Sequence, residues 1–225
     1  MAKSKNTTVW TLALLEETFG LQKLSATEDM PLLTEWLASE GELSDNENIT
    51  LNELRLLIID NVDDWDEEDL KMNVIVFILK MANYVQHKGK YRVFFDKFIS
   101  ATIDHHTLSS RPDMMLAKGV RNEVRTPYFC FHECLPPYSP QFGGNKGGDK
   151  DPRGQLLQDM LIAQTVNGSD MPIYGCYVTG RHWYFVVLIG SKYKISRSYD
   201  TSLLAELEQV VFILRHFWDI LEAIK

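Results

Sequence analysis

The sequence predicts an α/β fold, in which a β-sheet is flanked by helices and preceded by a helical cap. The chain has 225 residues and a hydrophobic content of 45%, which suffices for one large globular domain with a substantial core. From residue 62 onward the apolar patterns give the order helix, three strands, helix, two strands and helix.

The first sixty residues contain helical patterns and no chemical motif. Apolar residues recur at helical spacing in three stretches, 9–19, 31–37 and 51–59. Residues 39–48 are polar and acidic, contain Gly41, and are predicted to form a loop. We therefore expect a helical region over residues 1–61, packed on a core domain over residues 62–225.

The longest helix is predicted to begin in the acidic cluster that follows Val62. Asp63 or Asp64 can cap this helix, because Glu67 lies three residues after Asp64, as in a capping box. Acidic side chains also suit the first turn of a helix. Apolar residues at spacings of three and four then continue the pattern to about Gln86.

Three strands are predicted next, over 91–103, 111–118 and 127–135, joined by short turns as in an antiparallel meander. The segment 136–151 is rich in proline and glycine and is predicted to be a loop. Its place directly after a strand suits either a lid that closes over a substrate or a plain surface connection.

After this loop the chain is predicted to form a helix, a hairpin and a terminal helix. The helix covers 152–164, with a proline that suits its first turn. Strands over 172–178 and 182–189 form the hairpin, which 192–198 extends. The terminal helix, 203–224, has an apolar face that suits either the core or a homodimer interface. The residues of this face are Val211, Leu214, Phe217, Trp218 and Leu221.

The charge of the chain limits the partners that it attracts. The net charge is −8, and the acidic residues are concentrated in the first seventy residues. Avid, non-specific binding of nucleic acid is therefore disfavoured. A local basic groove stays open, because basic residues recur in the C-terminal half. They are Lys146, Lys150, Arg153, Arg181, Lys192, Lys194 and Arg197.

The sequence also bears on location. No apolar run reaches the roughly 18 uncharged residues that cross a bilayer, and the N-terminus lacks the apolar segment of a secretory signal. Three cysteines give no disulfide framework. We therefore expect a cytoplasmic protein without a membrane partner.

Two of the predicted strands each carry one acid, Asp113 and Glu133, where burial is unfavourable unless a cation or hydrogen bonds compensate. At one end of the sheet these carboxylates would repel each other and raise each other's pKa, unless Mg²⁺ or Mn²⁺ lies between them. Side chains alternate along a strand. The residues predicted to share a face with Glu133 are Phe129, Phe131 and Leu135, and those on the opposite face are Cys130, His132 and Cys134.

Pro112-Asp113, followed about twenty residues later by Glu133 on the next strand, resembles the motif of the PD-(D/E)XK nuclease superfamily. The resemblance implies a restriction-endonuclease-like fold with an αβββαβ core and a mixed central sheet, which agrees with the element order over about residues 62–200. It also implies metal-dependent hydrolysis of phosphodiester bonds in nucleic acid. Asp113 and Glu133 would then hold Mg²⁺ or Mn²⁺, and Glu68 on the first core helix would be an auxiliary acid.

Leu135 stands where this superfamily has a lysine, two residues after the glutamate. The family's lysine assists the attacking water and the developing charge, and leucine can do neither. Three explanations are open. A cation from Lys146, Lys150 or Arg153 fills the place, the site binds metal and substrate without cutting, or the fold serves only for contacts with nucleic acid or protein.

Two glutamines on the next predicted helix, Gln155 and Gln158, resemble the glutamine that several branches of the superfamily place beside the acidic pair. Such an amide would hydrogen-bond a metal-bound water or a phosphate. An exposed helix surface is the simpler explanation, since glutamine is also a common helix former. Glu68 has a simpler explanation too, as part of a capped first helical turn.

A zinc site is a further interpretation of the strand that contains Glu133. The residues that suggest it are Cys130, His132, Cys134 and, on a later strand, Cys176. The first three recur at every second position of a strand, and this spacing lacks the knuckle in which two cysteines usually hold zinc. Buried cysteine also commonly serves as a small apolar filler, so packing is the alternative.

Overall fold

The computed structural model describes residues 10–84, 91–135, 151–168 and 171–223. The fold is α/β, with one mixed sheet of eight strands flanked by helices, so the predicted fold class is confirmed. Seven strands lie side by side in the order β1 (Gln22–Lys23), β9 (Lys192–Ile195), β8 (His182–Ile189), β7 (Ile173–Thr179), β6 (Glu123–Leu135), β5 (Met114–Val120) and β2 (Tyr91–Phe95). An additional strand, β10 (Tyr199–Asp200), pairs with β8. The loop predicted over 136–151 lies outside the described residues, apart from Asp151.

Helix α6 (Pro152–Asn167) connects β6 to β7, and these two strands are parallel. The pairs β5–β6 and β7–β8 are antiparallel, which makes the sheet mixed. The side chain of Asp151 caps α6 by accepting a hydrogen bond from the backbone N–H of Arg153, and the helix ends at Gly168 with a φ of 65°. The helix and the hairpin predicted for this part of the chain are confirmed.

Three helices precede the core, α1 (Leu12–Phe19), α2 (Pro31–Leu37) and α3 (Asp45–Asn61). The helices predicted in this region are confirmed, but the loop predicted over 39–48 is too long. The side chain of Ser44 accepts a hydrogen bond from the backbone N–H of Glu47, whose carboxylate accepts one from the backbone N–H of Ser44 at 2.8 Å. This capping box begins α3 at Asp45.

The first core helix begins later and ends earlier than predicted, and it is interrupted. A separate 3-10 turn (Val62–Asp64) precedes it, and its parts are α4 (Glu67–Leu70), a π-helical turn (Lys71–Ile75) and α5 (Val76–Met81). The prediction that Asp63 or Asp64 caps it is wrong. Both lie in the 3-10 turn, and the extended backbone of Trp65 separates that turn from α4. Asp66 is the cap and shares a capping box with Asp69.

The first predicted strand is wrong in one respect, because it divides into two strands. Asp96 has a φ of 49°, which interrupts the extended backbone between β2 and β3 (Ile99–Ile103). Strand β3 pairs with β4 (His106–Ser110) in a separate hairpin around Asp104 and His105, both with positive φ. The meander of three strands consists of β2, β5 and β6, with the β3–β4 hairpin inserted between β2 and β5.

Two apolar clusters cover the two faces of the sheet. The cluster on one face is formed with α2, α3, α5 and α7 (Leu204–Ala223), and the cluster on the other face with α1, α6 and the β3–β4 hairpin. Helices from the first 61 residues therefore share one core with the strands. The burial of this apolar surface is the main contribution to stability.

Helix α7 contributes its whole apolar face to the first cluster, so this face belongs to the core and not to a dimer interface. The residues concerned are Val211, Leu214, Phe217, Trp218 and Leu221, all buried. Within the described residues, neither α7 nor any other helix has the length and hydropathy that crossing a bilayer requires.

The alternation of side chains along β6 departs from the prediction at one residue. Phe131 lies in the cluster with α6 and Cys134 in the cluster with α7, as alternation requires. Phe129 was expected on the face of Phe131 but lies in the cluster with α7. The β5–β6 pairing is irregular on both sides of Ala117, and this bulge reverses the alternation.

Trp36 on α2 tests whether the helical region and the sheet unfold together. Its side chain is fully buried, and Nε1 donates a hydrogen bond to the backbone oxygen of Ile213 at 2.9 Å. We expect Trp36→Ala to lower the free energy of unfolding by about 3 to 5 kcal/mol in a single transition, because it leaves a cavity and an unpaired carbonyl. Ile49→Ala, at a side chain that is 59% exposed, should change it by about 0.5 kcal/mol or less. Urea unfolding followed by far-UV circular dichroism measures both, and two separate transitions would contradict a shared core.

Candidate functional site

The structure brings Asp113 and Glu133 together at one end of the sheet. In the β5–β6 pairing Met114 lies opposite His132, so Asp113, directly before β5, lies opposite Glu133. The backbone N–H of Asp113 donates a hydrogen bond to Oε1 of Glu133 at 3.4 Å. The two acids therefore occupy neighbouring positions at the junction of β5 and β6.

Both carboxylate oxygens of Asp113 have protein partners. Oδ2 accepts a hydrogen bond from the backbone N–H of Cys134 at 2.9 Å, and Oδ1 accepts one from Nζ of Lys71 at 2.8 Å. The first partner belongs to β6 and the second to the first core helix. Asp113 is thus held from two directions, while 24% of its side chain stays exposed.

Lys71 supplies a cation to this site. It is the first residue of the π-helical turn, and its Nζ also donates to Oε1 of Glu67 at 2.7 Å. Burial disfavours the charged form of Lys71, but hydrogen bonds and attraction from Asp113 and Glu67 outweigh that effect and raise its pKa. Lys71 is therefore an ammonium group at neutral pH.

The cation reaches the site from a helix that precedes Glu133, whereas the sequence pointed to residues that follow it. Leu135, at the family's lysine position, is partly buried at the end of β6. Arg153 pairs with Asp151, its Nε and Nη2 lying 2.9 and 3.0 Å from the two carboxylate oxygens. Lys146 and Lys150 lie outside the described residues.

A third acid, Asp159 of α6, belongs to the same group. It is fully buried; its carboxyl group interacts with the side chains of Ser110 and Glu133, but neither of its oxygens accepts a hydrogen bond of good geometry among the described residues. Burial raises the pKa of Asp159 to about 7; the nearby Ser110 and Glu133 side chains oppose this shift, and the charge of Asp113 adds to it.

Glu133 is only 5% exposed and interacts with both other acids. Burial raises the pKa of Glu133 well above its usual range, and repulsion by Asp159 and Asp113 raises it further. Three carboxylates this close do not all ionise in a buried environment. Glu133 and Asp159 therefore share a proton when no additional cation is bound, and the pair titrates as a unit.

The three acids offer carboxylate oxygens, which are the ligands that Mg²⁺ and Mn²⁺ prefer. In the part of the chain that the structure describes, however, no group of three or more His, Cys, Asp or Glu side chains is arranged to hold a metal ion. Binding of such a cation here would therefore require the side chains of the acids to change position.

The three polar residues that the sequence placed around the acids differ in position. Glu68 is on α4 but its side chain is 78% exposed. Gln158 donates a hydrogen bond from Nε2 to the backbone oxygen of Ser109 at 2.7 Å, so it holds the β3–β4 hairpin against α6. Gln155 lies one helical turn before Asp159 and is partly buried.

The residues considered for zinc do not converge on a metal among the described side chains. Sγ of Cys176 lies 2.8 Å from Nδ1 of His132, and both side chains are buried. Burial lowers the pKa of His132 to about 3 and raises the pKa of the Cys134 thiol. Both side chains are therefore uncharged at neutral pH, as expected for residues that pack in the core. The side chain of Cys130 lies outside the described part.

Lys71 and Asp159 are the two members of the site that sequence patterns did not identify. Asp159 is the only charged residue in the helical stretch 156–163, which is apolar apart from Gln158 and Asp159, and this is a usable signal of a buried acid. Lys71 follows Glu67 by four residues, a spacing typical of an exposed ion pair on a helix. Its partner Asp113 is 42 residues away along the chain, and no local pattern indicates that contact.

Comparison of the sequence with protein-family models and with curated proteins found no match. The site is therefore interpreted from its own geometry. Three acids, Asp113, Glu133 and Asp159, meet a protonated lysine where β5 and β6 adjoin α6. Acids whose pKa values are raised by burial and mutual repulsion are concentrated at functional sites.

Asp159→Asn should stabilise the metal-free protein at neutral pH. The pKa of Asp159 rises from its ordinary 3.8 to about 7 on folding. In acid, where Asp159 is protonated in both the folded and the unfolded protein, it does not affect the free energy of unfolding. As the pH rises towards about 7 its ionisation lowers the free energy of unfolding, and the loss persists at higher pH. An amide has the same shape and does not ionise. We expect the free energy of unfolding of the variant to increase relative to that of wild type by about 1 to 3 kcal/mol as the pH rises from about 4 to 8. Urea unfolding in EDTA measures this, and parallel pH profiles would contradict the assigned ionisation.

Proposed function

We propose that the protein is a metal-dependent nuclease with a restriction-endonuclease-like fold, which hydrolyses phosphodiester bonds in nucleic acid. The observation that carries this proposal is the meeting of Asp113 and Glu133 with the ammonium group of Lys71, 2.8 Å from Asp113. This group supplies the acidic pair and the cation that the sequence motif implies. Lys71 comes from the first core helix and would take the role of the motif lysine, whose position is occupied by Leu135.

The order of the elements supports the proposal. Helices α4 and α5, the antiparallel strands β2, β5 and β6, the crossover helix α6 and the parallel strand β7 follow the αβββαβ order. The β3–β4 hairpin is an insertion into this order. The candidate site lies at the C-terminal end of β6, the side of a sheet on which α/β proteins commonly bind their ligands.

The chemistry of each residue suits phosphodiester hydrolysis. A divalent cation held by Asp113 and Glu133 would neutralise phosphate charge and help to orient and ionise the attacking water. Lys71 is kept protonated, so it is suited to stabilise negative charge on the phosphate and not to accept a proton. Asp159, which is not assigned to the cation and whose pKa is raised by burial, is suited to hold a proton taken from the water.

A second function, binding of nucleic acid or protein without hydrolysis, is favoured by one observation. Both oxygens of Asp113 already have protein donors, and Lys71 supplies positive charge that a metal would otherwise supply. In that case the ion pair is a permanent structural contact. A protein of this kind would neither bind a divalent cation at the acids nor cut nucleic acid.

Moving the lysine tests the assigned role of Lys71. We expect Lys71→Met to lower the rate of Mg²⁺- or Mn²⁺-dependent cleavage of labelled DNA or RNA by about 100-fold or more, because a charge that stabilises the transition state is lost. Adding Leu135→Lys to this variant should restore part of the rate, since residue 135 shares the strand face of Glu133. Lys80→Met, at an exposed lysine of α5, is the control and should keep the wild-type rate. A rate that is equal in the Lys71 and Lys80 variants would contradict the role.

Calorimetric titration with Mn²⁺ tests the metal independently of cleavage. At about pH 7 we expect binding that releases protons, because the cation displaces the proton shared by Glu133 and Asp159. Repeating the titration in buffers with different ionisation enthalpies measures the release. Asp113→Ala should abolish binding, whereas Asp60→Ala, at an exposed residue of α3, should not. Absence of binding in wild type would favour the second function.

A further inference from the structure

Two large apolar side chains are exposed where β2 ends and turns into β3, Phe95 as the last residue of β2 and Phe98 in the turn itself. Phe95 is 54% exposed and Phe98 is 61% exposed. Single exposed apolar residues are ordinary on protein surfaces. Two phenylalanines within four residues, beside a candidate active site, form a concentrated apolar surface of the kind that binds a partner.

This turn is attached directly to the candidate site. The backbone N–H of Asp96 donates a hydrogen bond to the backbone oxygen of Asp113 at 3.4 Å. Nη1 of Arg111 donates to the backbone oxygen of Asp96 at 3.2 Å, and the guanidinium carbon of Arg111 lies 5.7 Å from the centre of the Phe98 ring. An aromatic ring and a positioned cation are therefore held close to an acid of the site.

We propose that Phe98, with Arg111 and Phe95, forms a platform on which a base of single-stranded nucleic acid stacks beside the candidate site. This inference rests on the proposed function and names the class of its substrate. Aromatic faces stack on any base, and a guanidinium contributes both to stacking and to phosphate contacts. The Arg111 side chain is 58% exposed, so its remaining N–H groups are accessible to a phosphate.

Charge favours a single strand over a duplex. Affinity for duplex DNA comes largely from phosphate contacts, and this protein has a net charge of −8. Near the site Glu67 and Glu68 pair with Lys71, and Asp96 pairs with Arg111, so the positive charge that these cations offer to a phosphate backbone is partly neutralised. Base stacking does not require positive charge, because every base has an aromatic face. The faces of the bases are accessible in a single strand, whereas in a duplex neighbouring base pairs cover them.

Fluorescence anisotropy in EDTA, where metal-dependent cleavage is stopped, tests the platform. The probes are a labelled single-stranded DNA, an RNA of the same sequence, and the corresponding DNA duplex. We expect wild type to bind single strands more tightly than the duplex, and Phe98→Ala to weaken single-strand binding by about 5- to 100-fold. Phe98→Trp should retain the affinity, because it keeps an aromatic face. Phe77→Ala, at a phenylalanine of α5 that is 45% exposed, is the control and should bind as wild type.

The proposed platform is contradicted if the Phe98→Ala and Phe77→Ala proteins bind single strands with equal affinity. It is also contradicted if wild type binds the duplex as tightly as the single strands, or binds neither single strand. The comparison of DNA with RNA identifies which single strand the platform prefers. A cleavage assay with Mn²⁺ separates this inference from the proposed function. Cleavage that does not depend on Phe98, together with binding that does not depend on it, contradicts the platform and leaves the proposed function standing. Binding that depends on Phe98, with no cleavage, supports the platform and contradicts the proposal of hydrolysis.

Discussion

The ion pair between Lys71 and Asp113 is the interaction on which the end of the sheet depends. Asp113, Glu133 and Asp159 converge where burial strengthens their repulsion, and the ammonium group offsets part of it. The same contact joins the first core helix to the start of β5. Since Asp113 also accepts a hydrogen bond from Cys134, the helix, β5 and β6 meet at one carboxylate. Three separate elements are therefore aligned by a single side chain.

The acids at this junction oppose the stability that the two apolar clusters provide. A buried carboxylate such as Asp159 is unfavourable for folding unless it is protonated or paired with a cation. Its neighbours along α6, such as Leu157 and Met160, are apolar, whereas the side chain that it meets on the sheet is the acid Glu133. Groups that lower stability in this way are commonly retained where they serve binding or catalysis.

Much of the fold could be predicted from the sequence, because strong apolar periods mark α6, α7, β7 and β8 whatever surrounds them. The errors occurred where neighbouring residues compete. Several consecutive acids can cap the first core helix, and only the backbone shows that Asp66 does. The break at Asp96 was hidden because aromatic and β-branched residues continue on both sides of it. Of the candidate site, the spacing of Asp113 and Glu133 was visible, whereas Lys71 depends on a contact between distant segments.

The π-helical turn that begins at Lys71 changes the direction in which the side chains on its two sides point around the helix axis. A π-helical turn is equivalent to one residue inserted into an α-helix, so it rotates the residues on its two sides by about 100° relative to each other. The backbone N–H of Val76 accordingly donates to the oxygen of Lys71, five residues earlier. Ile78 and Leu79 of α5 thus pack in the core, while Lys71 at the start of the π-helical turn faces Asp113. One backbone irregularity separates the part of the helix that packs from the residue that contacts the acids.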